Sequence, residues 1–322
     1  MKLKNILLGS LVLLTLTAGT ELPARAAKEH QLGPTGLTGT LSQDSITITR
    51  VAAGSPSDGK IEKGDIIIGV GTENPAGLSR HSLATAIDQA ETREAGGKLK
   101  LQLQGGEQVE LQLEVLGSYS ETAPYDCPKS DLIIERAAEY LAADIRNSLD
   151  PDNKRSRGRF NSGATHTALL GLLATGDEKY LDLVARAIRS TGILEPDLPR
   201  IEGELQGDYS MGLVAWYWGY HCILLAEYYL ATGDASVLPA LEVYAVSLAK
   251  GQDSGGLWGH RMAANGRLPG YAQMNQSSLS CFVGMLMAQK CGIQDPSLAK
   301  GIEKTYAYYA TYIGEGGLNY GV

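Results

Sequence analysis

Leu173-Ala174-Thr175-Gly176-Asp177 returns 57 residues later as Leu230-Ala231-Thr232-Gly233-Asp234. In both copies an apolar stretch with helical spacing stops at a glycine, and the next stretch begins behind an aspartate. Glycine suits the left-handed residue that closes a helix, and aspartate accepts from the free N–H groups that open one. Cys291-Gly292 through Asp295 is a third, degenerate copy. Each unit therefore predicts a helical hairpin with a short joint, and the period predicts an array in which neighbours bury one another's apolar faces. Working outward, helices are expected at about 130–149, 163–175, 177–190, 210–231, 235–250, 273–290 and 296–313.

The region before this array has a different composition. Residues 1–118 contain no Phe, Trp or Tyr, whereas all 16 Tyr, 3 Trp, 2 Phe and 4 Cys follow. Two differently built cores are implied, with residues 118–129 as the connector. Residues 30–117 read as strands and turns. Ile46 to Val51 is rich in β-branched residues. Gly64 to Val70 is a buried strand entered from a tight turn. Ser82 to Glu94 has helical spacing. Lys98 to Gln104 and Gln108 to Leu116 alternate on either side of Gly105-Gly106, as in a hairpin.

At the N-terminus, Lys2 and Lys4 precede the uncharged apolar run Ile6 to Ala18, and Ala24-Arg25-Ala26 offers small residues for a signal peptidase. The run is shorter than the roughly 20 residues that span a bilayer. Residues 1–26 are therefore expected to be a cleaved signal peptide, and the protein to be exported, periplasmic or secreted, with no membrane span after cleavage. A formal charge of −8 excludes a simple nucleic-acid binder, which needs a basic surplus. The four cysteines are too few and too poorly spaced for a disulfide scaffold; thiols acting as small apolar residues are expected.

The order of strand, Ala53-Gly54-Ser55-Pro56 turn, Lys63-Gly64-Asp65-Ile66 strand, helix and hairpin resembles a PDZ domain. The resemblance implies that a peptide adds as a strand and that backbone amides hold its C-terminal carboxylate. The matching loop is Gly36-Leu37-Thr38-Gly39, and His81, at the helix start, either selects a peptide side chain or is solvated. Ser79 and His81 lie close in sequence without any protease motif around them.

The Gln252-x-x-x-Gly256-x-Trp258 spacing resembles the repeat motif of squalene-cyclase and prenyltransferase-like α/α toroids. Neither an acid motif nor a zinc set accompanies it, so no metal or cofactor is expected. The whole chain, through Leu32-Gly33-Pro34-Thr35-Gly36, Ala123-Pro124-Tyr125-Asp126-Cys127-Pro128 and Trp258-Gly259-His260-Arg261, resembles an uncharacterised bacterial family of exported proteins, a domain of unknown function. That resemblance implies a PDZ domain ahead of a toroid over residues 130–322, incomplete at its C-terminus.

Polar and aromatic residues gather at the hairpin mouths. Trp218, His221, Trp258, His260, Arg261, Tyr271 and Asn275 are the candidates for a ligand site in a toroid cavity, since aromatic faces flanked by polar groups suit sugars or peptides. Tyr228 and Tyr229 are read as packing. A glycosidase would need two carboxylates across the bond; among Glu202, Glu204, Asp208, Asp253 and Glu315 no pair stands out. The sequence thus points to an exported binding or scaffolding protein, with a peptide C-terminus at one domain and a polymer such as a polysaccharide at the other. The alternative is a toroid glycosidase or lyase whose catalytic residues are not assigned.

Overall fold

The computed structural model describes residues 28–71, 78–150, 152, 163–208, 212–270 and 273–321. The chain divides into two compact units, the first ending at Lys129 and the second beginning at Ser130.

The first unit is an antiparallel sheet with one helix. Its strands are β1 (Glu29–Gln31), β2 (Leu37–Leu41), β3 (Ile46–Val51), β4 (Ile66–Val70), β5 (Lys98–Leu103) and β6 (Gln108–Gln112), paired in sequence order. Alternation sends Ile46, Ile48, Leu99, Leu101, Val109 and Leu111 to one core, where α1 (Arg80–Ala90) adds Leu83, Ala86 and Ala90. The helix begins two residues before the expected point. Ser79 is its N-cap, with Ser79 and Ser82 bonding each other's backbone N–H. Ser79 is thus occupied in capping.

The stretch 118–129 is not a loose connector. Cys127 is fully buried. The Lys129 side chain is only 1% exposed, and its Nζ lies 2.8 Å from Glu91 and 3.1 Å from Asp88. The ammonium also sits 4.5 Å above the Tyr119 ring. Burial alone would lower the Lys129 pKa, but Glu91 and then Asp88 outweigh it and hold the group charged.

The second unit is helical: α2 (Pro128–Leu149), α3 (Gly163–Ala174), α4 (Leu181–Ser190), α5 (Leu198–Gln206), α6 (Val214–Thr232), α7 (Leu238–Lys250), α8 (Asn275–Lys290) and α9 (Pro296–Ala310). The repeated pentapeptides do the same work twice. Gly176 and Gly233 adopt φ of 67° and 71°. Asp177 and Asp234 each accept the backbone N–H two residues on, both at 3.0 Å. Thr175 and Thr232 each tie the helix end to the following Asp N–H. Asp295 caps α9 in the same manner. Apolar side chains of α3, α4, α6, α7 and α8 make one continuous core.

Helix α5 was not among the expected helices. Pro199 in its first turn and Gly203 inside it disguise the period, although proline is tolerated at a helix start. Asp197 caps it.

The Gln-x-x-x-Gly-x-Trp stretch is a junction. Gln252 Nε2 donates to Gly256 O, Gly301 O and Thr305 Oγ1, joining the loop after α7 to α9. Asp253 Oδ1 accepts from the N–H groups of Gly255 and Leu257. Trp258 Nε1 donates to Leu248 O at 3.0 Å. Cys222, Cys281 and Cys291 are buried in the helical core, where burial raises their thiol pKa values.

Candidate functional site

In the helical unit, α3, α6 and α7 and the segment leading into α5 enclose a cavity of about 290 Å³. That is close to the lower end of the roughly 300–1,000 Å³ typical of ligand pockets. Trp218 and His221 sit one turn apart on α6 and reach the same wall, as the 3.6-residue period requires. His166 comes from α3 and Tyr244 from α7. The rings stack around His221: its centroid lies 4.8 Å from that of His166 and 4.8 Å from that of Tyr244, the latter edge-on. Glu195, Asp197 and Arg200, all exposed, stand at the rim.

The floor of this cavity is electrostatically unusual. His221 Nδ1 is sealed from solvent and has no hydrogen-bond partner among the described residues. Burial first, and the neighbouring His166 second, push the His221 pKa down to about 3. The imidazole is therefore neutral at physiological pH. Burial likewise pushes the Tyr244 hydroxyl up to about 12, so it stays protonated.

This sets a pH dependence. The folded value of His221 lies below the unfolded 6.5, so the unfolded chain takes up the proton first. The stability due to the neutral ring is complete above about pH 6.5 and is lost as pH falls from there toward 3. At pH 5 the loss amounts to about 2 kcal/mol relative to pH 8. Urea unfolding followed by tryptophan fluorescence at the two pH values checks this. His221→Phe should remove that part of the difference, and an unchanged difference in the variant would refute the assignment.

Of the described residues expected to hold a ligand in the helical domain, only Trp218 and His221 line this cavity. Trp258 is fully buried and bonded to Leu248, so it offers no face to a ligand. His260 Nδ1 accepts from Trp216 Nε1 at 3.1 Å, and its carbonyl accepts from Ala215 N–H. That places His260 at the start of α6, and neither it nor Arg261 lines the cavity. Asn275 is buried and ties the chain near its end, donating to Asn319 O and taking Tyr320 O on its N–H. Tyr271 lies outside the described residues. Asp253 is committed to its loop, and Glu204 is buried in α5.

In the sequence His166 reads as a lone helical histidine, packed or solvated, and Tyr217, Tyr244 and the whole α5 approach with Arg200 carry no signal. For the two histidines one signal was present. His166 and His221 stand 55 residues apart, nearly one period, on helices that occupy equivalent places in successive hairpins.

In the sheet domain the expected carboxylate loop is placed differently. Leu37, Thr38 and Gly39 belong to β2, which is paired on both sides, to β1 and to β3. Gly36 closes the preceding turn at φ 77°, packed against Ser55. His81 is exposed on the first turn of α1, and it is Arg80 that reaches across, 2.6 Å from His30 Nε2.

Among the described residues no cluster of His, Cys, Asp and Glu could hold a metal ion, and no helix is long and apolar enough to cross a membrane.

Comparison with known families agrees with this division. Residues 130–322 match the family described as Domain of unknown function (DUF6288). The chain belongs to this DUF6288 family. Residues 25–104 match the PDZ domain. The protein is thus a PDZ domain followed by a helical DUF6288 domain, and the PDZ domain gives it a protein-interaction or scaffolding role. No curated protein and no solved structure matches the chain.

Proposed function

We propose that this member of the DUF6288 family is an exported bacterial binding protein, joining a peptide held by the PDZ domain to a glycan held in the helical cavity. The observation that carries the reading is the cavity wall. Tyr217, Trp218 and Tyr244 present aromatic surface, His166 and His221 present imidazoles, and Glu195, Asp197 and Arg200 supply polar groups at the rim. Aromatic faces combined with a few directed polar groups suit sugar rings. The hairpin period and the Gln252–Trp258 junction support an α/α toroid as the architecture of the helical domain. The Lys2/Lys4, Ile6–Ala18 and Ala24-Arg25-Ala26 pattern supports export.

Binding is favoured over catalysis by His221 itself. A base whose pKa is about 3 is a poor proton acceptor near neutral pH. The competing reading as a glycosidase or lyase draws on the pair of rim carboxylates, Glu195 and Asp197.

Tryptophan fluorescence and calorimetric titration with soluble chito-, cello- and uronate oligosaccharides test the reading. One class should bind, and Tyr217→Ala should weaken it about tenfold, as loss of one aromatic contact of about 1.4 kcal/mol implies. Chromatography of the same mixtures decides between the two readings. Cleaved oligosaccharide would establish the enzyme, and an absence of binding by every class would remove the glycan assignment.

A further inference from the structure

The short strand β1 sits where a PDZ ligand would sit. A peptide bound beside the turn Gly33–Gly36 would add to the outer edge of β2, next to α1, with its C-terminus at the turn. That edge is already taken. Glu29, His30 and Gln31 pair antiparallel with Thr40, Gly39 and Thr38, and the segment runs toward the turn, the polarity required of a ligand.

The match continues residue by residue. Leu32 is buried in the sheet core, where a ligand's last side chain would lodge. Its N–H donates to Leu37 O at 2.9 Å. Its carbonyl, at the position of a terminal carboxylate, accepts from Thr35 Oγ1 at 2.8 Å. In the alternation of an antiparallel ladder, His30 and Gly39 form the next hydrogen-bonded pair. The His30 ring meets Arg80 of α1. Burial first, then the Arg80 and Lys28 cations, keep that ring below its ordinary pKa and able to accept from the guanidinium. A cavity of about 250 Å³ remains alongside, lined by Leu41, Ile46, Leu83 and Ile87 among others.

The turn itself is held from the opposite side. Ser57 Oγ donates to Thr35 O, and Ala52 N–H donates to Gly36 O. The receiving turn is therefore anchored independently of β1.

We propose that Glu29-His30-Gln31-Leu32 is a built-in ligand that closes the peptide groove of the PDZ domain. Partner peptides that end in a large aliphatic residue, with a hydrogen-bond acceptor such as His two positions before it, bind by displacing this segment. The inference rests on reading the PDZ domain as a peptide binder.

The test uses the full chain, the N-terminally fluorescein-labelled tetrapeptide Glu-His-Gln-Leu with a free carboxylate, and its amidated form. Fluorescence anisotropy reports binding. His30→Pro removes the ladder donor and the Arg80 contact from a residue outside the core. Leu32→Asp places a charge in the apolar site and should expel the segment. Both variants should bind the free-acid peptide at least tenfold more tightly than the native chain, and should discriminate against the amide. In the native chain, excess peptide should accelerate hydrogen exchange at the Leu32 amide.

Equal, tight binding to all three proteins would show an open groove. That result overturns the built-in ligand and leaves the peptide-binding reading standing. No binding to any of them, with exchange protection of β3 and β4 intact, would overturn the peptide-binding reading itself. Equal binding of acid and amide by the variants would overturn the assignment of the Leu32 carbonyl to the carboxylate position. If Leu32→Asp unfolds the sheet, His30→Pro decides.

Discussion

Trp258→Ala is expected to destabilise the helical domain by about 3–5 kcal/mol, the range for removing a large buried aromatic side chain. The indole has no exposed surface, and its N–H is the donor to Leu248 O near the end of α7. Truncation takes away one of the two donors to that carbonyl, leaving Gly251 N–H, and opens a cavity in the core to which Met262 and Leu248 also belong. The backbone of Trp258 adds to its importance, since its N–H donates to Ser278 Oγ and its carbonyl accepts from Met274 N–H, both at the start of α8. His260→Ala is the natural comparison. It removes one half-buried acceptor of Trp216 Nε1 and should cost only about 0.5–1.5 kcal/mol. Urea unfolding followed by far-ultraviolet circular dichroism measures both. Equal small losses would mean that the junction does not depend on the indole.

The contrast between these residues explains what the sequence could disclose. The Leu-Ala-Thr-Gly-Asp copies were legible because a cap is a local device. Gly176 and Asp177 satisfy groups within a few residues of themselves, so spacing alone reports them. Gln252 was legible as structure because the motif spacing is recognisable, whereas Trp258 of the same motif was also expected at a ligand site and is instead fully buried. The cavity was less accessible. His166 and His221 become a pair only when α3 lies against α6, and a single helical histidine carries no sign of that encounter. Helix α5 was hidden by Pro199 and Gly203, and with it Arg200. In the sheet domain, strand alternation revealed β3, β5 and β6. Strand β1 was too short to show any period, so the glycines of Gly36–Gly39 were read as an open loop when part of that stretch is a central strand.

Two other glycines show how close packing also escapes sequence reading. Helices α6 and α8 cross where a Cβ on Gly219 would come within 3.0 Å of the Ser280–Cys281 backbone, and one on Gly284 within 2.9 Å of Gly219 O. Within α6 and α8 these residues are unfavourable for helix propensity by roughly 1 kcal/mol each relative to alanine. Their value lies entirely in the neighbour they admit, and nothing within either helix announces it.

Gly36→Val would test a carboxylate loop if the loop were open, and weakened binding by an intact domain would then follow. The structure requires a different outcome. A Cβ on Gly36 would lie 2.1 Å from Ser55 Cβ and 2.2 Å from Ser55 Oγ, an overlap that rotation of the serine cannot relieve. The residue also holds φ 77°, where a β-branched side chain is strained by roughly 1–2 kcal/mol. Overpacking adds about 1–3 kcal/mol. Even Gly36→Ala should therefore cost about 2–5 kcal/mol, and Gly36→Val should unfold the sheet domain at ordinary temperature. Because residues 28–118 lack aromatic reporters, hydrogen exchange of the β2 and β3 amides is the suitable measurement. The cause can be separated from the effect. Ser55→Gly removes the colliding atoms, so the double variant Gly36→Ala/Ser55→Gly should recover the overpacking share and retain only the backbone strain. Protection in the double variant no better than in Gly36→Ala alone would mean that the turn fails because of its φ angle, with the Ser55 contact playing no part.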